Sequence, residues 1–421
     1  MTVSVLGEPR YPSPVGRSVP DDLRVPEEII RTPGTTPPTD GLLFELAGPR
    51  ARLFFEPSRT RAGVVTCGRL CPGLNDVIRS LFLELHYAYG VQEVVGFRNG
   101  YQGLDPVLGA EPIVLTRELV DGIHRLGGSV LGTSRGPVDI GRAVDNLIRR
   151  RIDILFTIGG DGTQRGGQAL FREATARGHT LSVVGVPKTI DNDVAFVSRT
   201  FGYLTAVEEA AEVLNRAHTE ARSVKNGVAV VKLMGRHSGS IALGATVASG
   251  DVNFTLIPEV PFRLDGERGF LAALERRLQD RAHALVVVAE GAGQELVTAT
   301  EAQRDASGNL RLNDIGHFMR DSIGAHFKAR GIPMVMRYFD PSYLIRSSPA
   351  NAEDAILCDF FARNAVHAAM AGKTGLVIGF LHEKFIHVPI ELITSRRKCV
   401  DLDSPGWGAA LASTGQPARF E

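Results

Sequence analysis

From residue 62 onward, short runs of β-branched and aliphatic residues alternate with stretches of helical period, and this alternation restricts the fold more than any other feature of the chain. The predicted strands are 62–66 (AGVVT), 92–97, 129–133, 154–159 (ILFTIG), 182–187 (SVVGVP), 228–233, 253–257, 284–290 (ALVVVAE), 333–338 and 376–381. The predicted helices are 74–89, 139–151, 164–177, 203–221, 239–249, 267–280, 315–329 and 351–371. Strands that are apolar without a break are buried on both faces, which calls for a parallel sheet with helices on either side. The β-α-β alternation predicts the doubly wound class. The run is too long for one such sheet, and 421 residues suit two or three domains. The expected fold is therefore α/β, with two doubly wound, mostly parallel-sheet domains facing a cleft and ligands at the carboxyl ends of the strands.

Lysines and arginines balance aspartates and glutamates, so the formal net charge is zero. No global field draws the chain to nucleic acid or an anionic membrane, and neither is expected as a partner. An anionic ligand must be held locally. No apolar run reaches the length of a membrane span, and Pro, Arg and Asp interrupt the N-terminal stretch too early for a secretory leader. Cys67, Cys71, Cys358 and Cys399 lack zinc-site spacing and fit thiols of a reducing compartment, so a cytoplasmic location is expected. Residues 1–41 are rich in Pro, Thr, Arg and Asp, including Pro33-Gly34-Thr35-Thr36-Pro37-Pro38, which predicts an extended arm. Phe44-Glu45-Leu46 and Leu53-Phe54-Phe55 would tie it to the body.

Chemistry gathers where predicted strands end. Cys67-Gly68-Arg69-Leu70-Cys71-Pro72-Gly73 joins a strand to a helix; its glycines allow a close backbone approach to an anion, although alone it would pass as an ordinary βα turn. Thr157-Ile158-Gly159-Gly160-Asp161-Gly162-Thr163 pairs glycines that can lie against a polyphosphate with a carboxylate that can hold magnesium through water; Gly166 would keep that helix face open. The plain alternative is a glycine turn with a capping Asp. Pro187-Lys188-Thr189-Ile190-Asp191-Asn192-Asp193 is the strongest signal. If the segment is extended, Asp191 and Asp193 point to the same side, one to accept a proton and one to support a metal, while Lys188 and Thr189 hold a phosphoryl group in flight. Met234-Gly235-Arg236 can clamp phosphate; Glu259 could accept from a sugar hydroxyl or merely cap a helix. Arg337, Tyr343 and Arg346 suggest a phosphate pocket near a strand end, and Arg135 a weaker one. Together these groups supply what phosphoryl transfer to a hydroxyl requires.

The ordered set TCGRLCPGLN (66–75), GYQGL (100–104), TIGGDGTQRGG (157–167), PKTIDND (187–193), VKLMGRHSG (231–239), IPEVPF (257–262), AEGAGQ (289–294) and YFDPSYLIR (338–346) resembles the phosphofructokinase family, and most closely its plant and trypanosomatid ATP-dependent branch, over roughly residues 42–400. The resemblance implies ATP and Mg2+ as cofactors and transfer to the 1-hydroxyl of fructose 6-phosphate in glycolysis. It implies Asp191 as base, with Lys188 and Arg236 stabilising charge, and Asp161 and Asp193 as magnesium-associated acids. Gly68, Arg69, Tyr101, Arg135, Gly160, Asp161, Gly162, Thr163 and Gly166 would face the donor. Thr189, Asp191, Asp193, Met234, Gly235, Arg236, Glu259, Arg337, Tyr343 and Arg346 would face the sugar phosphate, part of whose pocket comes from a neighbouring subunit, so a homo-oligomer, dimer or tetramer, is implied. It also implies an N-terminal arm over 1–61, a nucleotide-binding domain of 62–202 plus 347–385, and a sugar-phosphate domain of 203–346 plus 386–421. Gly162 matches ATP users, since a carboxylate there would meet the α-phosphate; Lys188 matches pyrophosphate users and the plant-like branch alike. Two positions depart from the wider family: Arg69 stands where it has Gly, and Gly227 where bacterial enzymes place Arg. A pyrophosphate-dependent enzyme is the alternative activity, and a non-catalytic sugar-phosphate-binding paralogue, motivated by Arg69, the alternative class. Sedoheptulose 7-phosphate presents the same reactive end as fructose 6-phosphate.

Overall fold

Every residue of the runs Ile154–Gly159 and Ser182–Pro187 is buried, so both faces of each strand must be covered. The computed structural model describes residues 2–30, 41–297 and 312–421, and the Pro-rich stretch 33–38 lies outside the described residues. The chain divides into two units. The first comprises Met1–Thr189, Val194–Gly202 and Ser347–Arg397, and the second Ile190–Asp193, Tyr203–Arg346 and Lys398–Glu421.

Along the chain, the first unit contributes β1 (Ser4–Val5), β2 (Tyr11–Pro12), β3 (Arg24–Pro26), β4 (Leu43–Leu46), β5 (Arg52–Leu53), β6 (Arg61–Thr66), β7 (Glu93–Phe97), β8 (Ile113–Val114), β9 (Ile154–Gly159) and β10 (Ser182–Pro187). The second contributes β11 (Gly227–Leu233), β12 (Phe254–Leu256), β13 (His283–Ala289) and β14 (Val335–Phe339), after which β15 (Lys373–Thr374), β16 (Leu376–Leu381) and β17 (Lys384–Pro389) return to the first. The helices are α1 (Leu74–Leu83), α2 (Arg117–Val120), α3 (Ile140–Arg149), α4 (Asp161–Ala176), α5 (Tyr203–Arg222), α6 (Ser240–Ser249), α7 (Phe270–Arg281), α8 (Ile315–Ala329), α9 (Ala352–Met370), α10 (Ile390–Ile393) and α11 (Pro405–Thr414).

The first unit is built on a nine-stranded sheet of order β3-β4-β17-β16-β10-β9-β6-β7-β8. Its centre, β16-β10-β9-β6-β7, is wholly parallel, and antiparallel strands flank it on both sides. From β6 the chain first adds β7 on one side and later β9 on the other, so the order reverses between β6 and β9. At such a switch point the connections diverge to opposite faces and leave room for a ligand at the carboxyl ends. The side chains of Phe97, Leu104, Leu147, Leu155, Leu170 and Val183 close one core of this unit.

In the second unit, β12-β13-β11-β14 form a four-stranded, entirely parallel sheet. Phe254, Phe262, Phe270 and Phe420 fill its core, with Phe270 edge-on to both Phe254 and Phe420 at 5.4 and 5.6 Å between centroids.

Several expectations need correction. Residues 129–133 form turns, because Gly128 and Gly132 take left-handed φ of +77° and +66° and the Gly132 N–H closes back on the Ser129 carbonyl. The predicted helix 74–89 is α1 followed by a wider, π-type stretch, Glu84–Tyr89. The N-terminal stretch is less of a free arm than its composition implies, since β3 pairs with β4 inside the main sheet and β1 pairs with β15. The expected boundary at 385/386 falls within β17, which is zipped antiparallel onto β16 from Leu381↔Lys384 to Leu376↔Pro389 and so keeps residues 386–389 in the first unit.

Candidate active site

The switch point gathers three of the loops singled out in the sequence. The Cys67 N–H donates to the Ile158 carbonyl at 2.9 Å, the Lys188 N–H to the Gly159 carbonyl at 3.1 Å, and the Gly68 N–H to the Ser134 carbonyl at 3.1 Å. Gln164 is buried beneath them and donates to the Gly159 carbonyl at 2.8 Å, pinning the end of β9. Gly68 has φ +85°, and the Lys188 ammonium lies 3.5 Å from where its Cβ would be. That ammonium donates to the Arg69 carbonyl. Arg69 itself is absent from the residues with left-handed φ, so an arginine stands there without backbone strain. Burial pushes the Cys67 thiol up to about 12, which leaves it neutral and unreactive.

Helix α4 begins at Asp161, three residues earlier than predicted, with Gly160 as its N-cap. Asp161 therefore lies in the first turn, where free N–H groups and the helix dipole favour a carboxylate, and Arg397 Nε stands 3.4 Å from its Oδ2. Gly162 is exposed, and nothing lies within 4 Å of where its Cβ would be. Thr163 is buried and packs against Gly159. Gly166 does not keep a helix face open as expected: the Tyr101 ring occupies the place its Cβ would take, and the Tyr101 hydroxyl donates to the Thr163 carbonyl. Tyr101 is thus a buried brace for the first turn of α4. Arg135 is exposed, in a loop and not after a strand.

The acidic segment is not extended. Asn192 sits between the two aspartates at φ +51°, in the left-handed region, so the alternation that would put Asp191 and Asp193 on one side is broken. A residue held there costs about 1–3 kcal/mol and persists only where its surroundings over-determine it. The surroundings do so at both ends. Lys188 bridges to Phe201, and Thr200 Oγ1 donates to the Thr189 carbonyl at 2.7 Å. Val194 bridges antiparallel to Arg397, and the Lys398 N–H donates to the Asp193 carbonyl at 3.0 Å. Burial lowers the Lys398 ammonium to about 8 against the pull of the Asp193 carboxylate. Arg397 and Lys398 were missed by sequence reasoning. Their only signal was the basic run Arg396-Arg397-Lys398, which resembles any solvated charge cluster. The division between the units falls inside this segment: Lys188 and Thr189 belong to the first, Ile190–Asp193 to the second.

In the second unit, β11 ends at Leu233 and Met234 is buried behind it. Gly235 has φ +131°, and a Cβ there would stand 2.5 Å from the Ser238 carbonyl, so only glycine fits. The Gly291 N–H donates to the Gly235 carbonyl at 3.0 Å, which holds the loop and leaves Arg236 half-buried. Glu259 adopts the capping alternative. Its carboxylate accepts the Gly239 N–H at 3.0 and 3.1 Å and the Val400 N–H at 2.7 Å, at the head of α6. The proposed phosphate trio is only partly assembled. Arg346 is buried, with its guanidinium carbon 4.8 Å from the centroid of the 75 % exposed Tyr343 ring. Arg337 lies within β14, short of its end, exposed and 3.5 Å from Glu220. Gly227 has no room for a side chain, because a Cβ would strike the Ala221 carbonyl at the end of α5.

The family model for phosphofructokinase matches residues 61–369. The chain is 44 % identical to the ATP-dependent 6-phosphofructokinase of Amycolatopsis methanolica, over all of this chain and 95 % of that one. It is 48 % identical to the ATP-dependent 6-phosphofructokinase of Trypanosoma brucei brucei, over 87 % of this chain and 75 % of that one. Among solved structures, the pyrophosphate-dependent phosphofructokinase of Marinobacter aquaeolei aligns with a TM-score of 0.71 over 84 % of this chain and 91 % of that one, at 20 % identity, a likeness of fold alone.

Proposed function

Because the chain belongs to the phosphofructokinase family, we propose that it transfers the γ-phosphoryl group of ATP to the 1-hydroxyl of fructose 6-phosphate, the phosphofructokinase step of glycolysis, using the residues described above. One observation carries the choice of donor. Gly162 sits exposed in the first turn of α4, with no protein atom requiring the absence of a side chain, which suits a site kept clear for a nucleotide phosphate. Relatives that are ATP-dependent at 44 and 48 % identity support the same donor, whereas the likeness to a pyrophosphate-dependent structure is confined to fold. The ordinary φ of Arg69 removes backbone strain as a motive for a non-catalytic reading.

In this reading, the backbone of the 67–73 and 159–163 loops and the Lys188 ammonium bind the donor phosphates. Asp191 takes the proton from the 1-hydroxyl as the oxygen attacks, and Lys188 and Arg236 stabilise the charge that develops on the phosphoryl group. Arg346, stacked on Tyr343, binds the 6-phosphate, and Glu259 acts indirectly by ordering the start of α6. Among the described residues no three His, Cys, Asp or Glu side chains gather into a cation cage. Magnesium binds through one or two carboxylates, waters and substrate phosphates, and Asp161 and Asp193 would hold it. When bound, it neutralises charge on the donor phosphates. Completion of the sugar pocket by a second copy of the chain is part of the proposal. So is a reducing, cytoplasmic setting, which four free cysteines suit. No described helix is long and apolar enough to cross a membrane.

The test is a donor and acceptor matrix with Asp191→Asn alongside the unsubstituted protein. Turnover should require ATP, with pyrophosphate a poor substitute and fructose 6-phosphate the preferred acceptor. Asp191→Asn should lower kcat by about 100-fold or more with the KM for the sugar little changed. Equal losses in kcat and affinity would remove Asp191 from the role of base.

A further inference from the structure

Two histidine rings in the second unit face each other through the same nitrogen. His218 is buried on α5, and His283 is the half-buried first residue of β13. Their Nε2 atoms are 3.2 Å apart and their ring centroids 5.2 Å. The other nitrogen of each ring is already engaged: His218 Nδ1 lies 3.1 Å from Asp251 Oδ2, and His283 Nδ1 lies 3.0 Å from the Arg281 carbonyl. A carboxylate and a carbonyl only accept, so both Nδ1 atoms carry protons. In neutral rings both Nε2 atoms are then bare acceptors. Two acceptors at that distance repel, and an electropositive centre shared between them makes the contact favourable. Gly227, where β11 begins, pairs with His283, so the two rings lie at the amino end of the parallel sheet, the end opposite the loop that carries Arg236.

We propose that His218 and His283 bind a divalent transition metal of the zinc type through their Nε2 atoms, with water at its remaining positions. Three observations converge on the site. The first is spacing. Zinc–imidazole bonds are about 2.0–2.1 Å long, so two such nitrogens on a tetrahedral ion stand about 3.3 Å apart. The second is support. A metal-bound imidazole donates its other N–H to a carboxylate or a backbone carbonyl, which fixes tautomer and ring orientation, and Asp251 and the Arg281 carbonyl stand in those two places. Asn253 ties the loop that carries Asp251 to β13: its N–H donates to the Leu285 carbonyl, and the Leu285 N–H donates to its side chain, both at 2.9 Å. The third is protonation. A metal takes the neutral ring, and burial, reinforced by the charges of Arg277 and Arg222, holds His283 below its ordinary value of 6.5. The same two arginines oppose a cation, and Asp251 offsets them. Among the described residues no third His, Cys, Asp or Glu completes a cage, so the affinity is lower than that of a closed four-ligand site. Nitrogen ligands also set the site apart from magnesium, which takes oxygen. The site is independent of the phosphotransfer reading.

The experiment strips the full chain of metal with a chelator and titrates it near neutral pH with ZnCl2, and separately with MgCl2, by calorimetry and by thermal unfolding. Zinc should bind in a saturable step and, at about 100 times its Kd, raise Tm by about 5 °C, because it binds the folded state alone. Magnesium should leave Tm unchanged. His218→Gln and His283→Gln should each weaken the zinc step about tenfold or more and abolish the Tm shift, and Asp251→Asn should weaken it about tenfold. The step is identified by its loss in these variants, so zinc held elsewhere on the chain does not count. If His218→Gln does not fold, His283→Gln decides, since that position is half-buried at the start of a strand. The absence of a saturable zinc step, or a step that neither histidine variant weakens, overturns the proposal and leaves only a proton between the rings.

Discussion

Gly162 and Gly166 lie four residues apart on one helix and are glycines for opposite reasons. At 166 the Tyr101 ring fills the space a side chain would need, whereas at 162 no neighbour does. A carboxylate in the first turn of a helix is favourable for stability. Gly162→Asp should therefore fold with Tm unchanged or slightly raised, yet lose ATP-dependent turnover by about 100-fold or more. Thermal unfolding together with ATP and pyrophosphate kinetics checks both halves, and a variant that turns over ATP normally would remove Gly162 from donor selection. The sequence shows both glycines and cannot say which is which, because the difference lies in a tyrosine some sixty residues away. Asn192 repeats the lesson at the acidic segment. An Asp-x-Asp spacing implies a shared side only if the residue between is extended, and a single left-handed φ undoes it.

At the scale of the element, α1 and α9 illustrate how a helix start can be loaded. Asp76 lies buried in the first turn of α1, and Asp354 buried in the first turn of α9, near enough to act on it. Burial, with a smaller contribution from the Asp354 charge, pushes the Asp76 carboxyl up to about 6 from an ordinary value of 3.8. A raised acid stabilises the fold fully below its unfolded value and loses that contribution as pH rises through the folded one, here from about 4 to about 6. Asp76→Asn, a neutral isostere, should have little effect on Tm near pH 4 and should stabilise above pH 6, by on the order of 2 kcal/mol. Tm profiles across that range check it, and a pH-independent difference would contradict the assignment. Most elements were legible because an unbroken apolar strand declares itself locally. The errors came where glycine conformation decided the outcome: 129–133 has strand composition but left-handed glycines just before it and within it, at Gly128 and Gly132, and α4 coils at Asp161 directly after a glycine pair that resembled open loop.

At the scale of the whole molecule, residues from both ends of the chain close the main sheet of the first unit around one buried charge. Glu45 on β4 accepts from Arg50 at 2.6 Å and Lys373 at 2.6 Å, and His387 on β17 lies 3.1 Å away; Asp21 reaches both Arg50 and Lys373. Interactions with His387 and then with Lys373 hold the Glu45 carboxyl well below the usual carboxylate range despite its burial. Glu45→Ala would leave the buried Arg50 and Lys373 with only the exposed Asp21 as a shared anion, and should destabilise the first unit by up to about 3–5 kcal/mol, seen as a lowered Tm of its unfolding transition. A Tm within experimental error of the unsubstituted protein would contradict it. Nothing in Phe44-Glu45-Leu46 announces such a role, since the partners lie as far as residue 387. The same distinction runs through the molecule. Strand period, helix period and glycine turns are properties of neighbouring residues, so the α/β class, the parallel sheets and the loops that carry chemistry could be read along the chain. The capping of α6 by Glu259, the brace of Tyr101 and the hold of Arg397 and Lys398 on the acidic turn came only with folding, because each joins residues separated by tens to hundreds of positions, and no local pattern encodes which distant side chain will arrive.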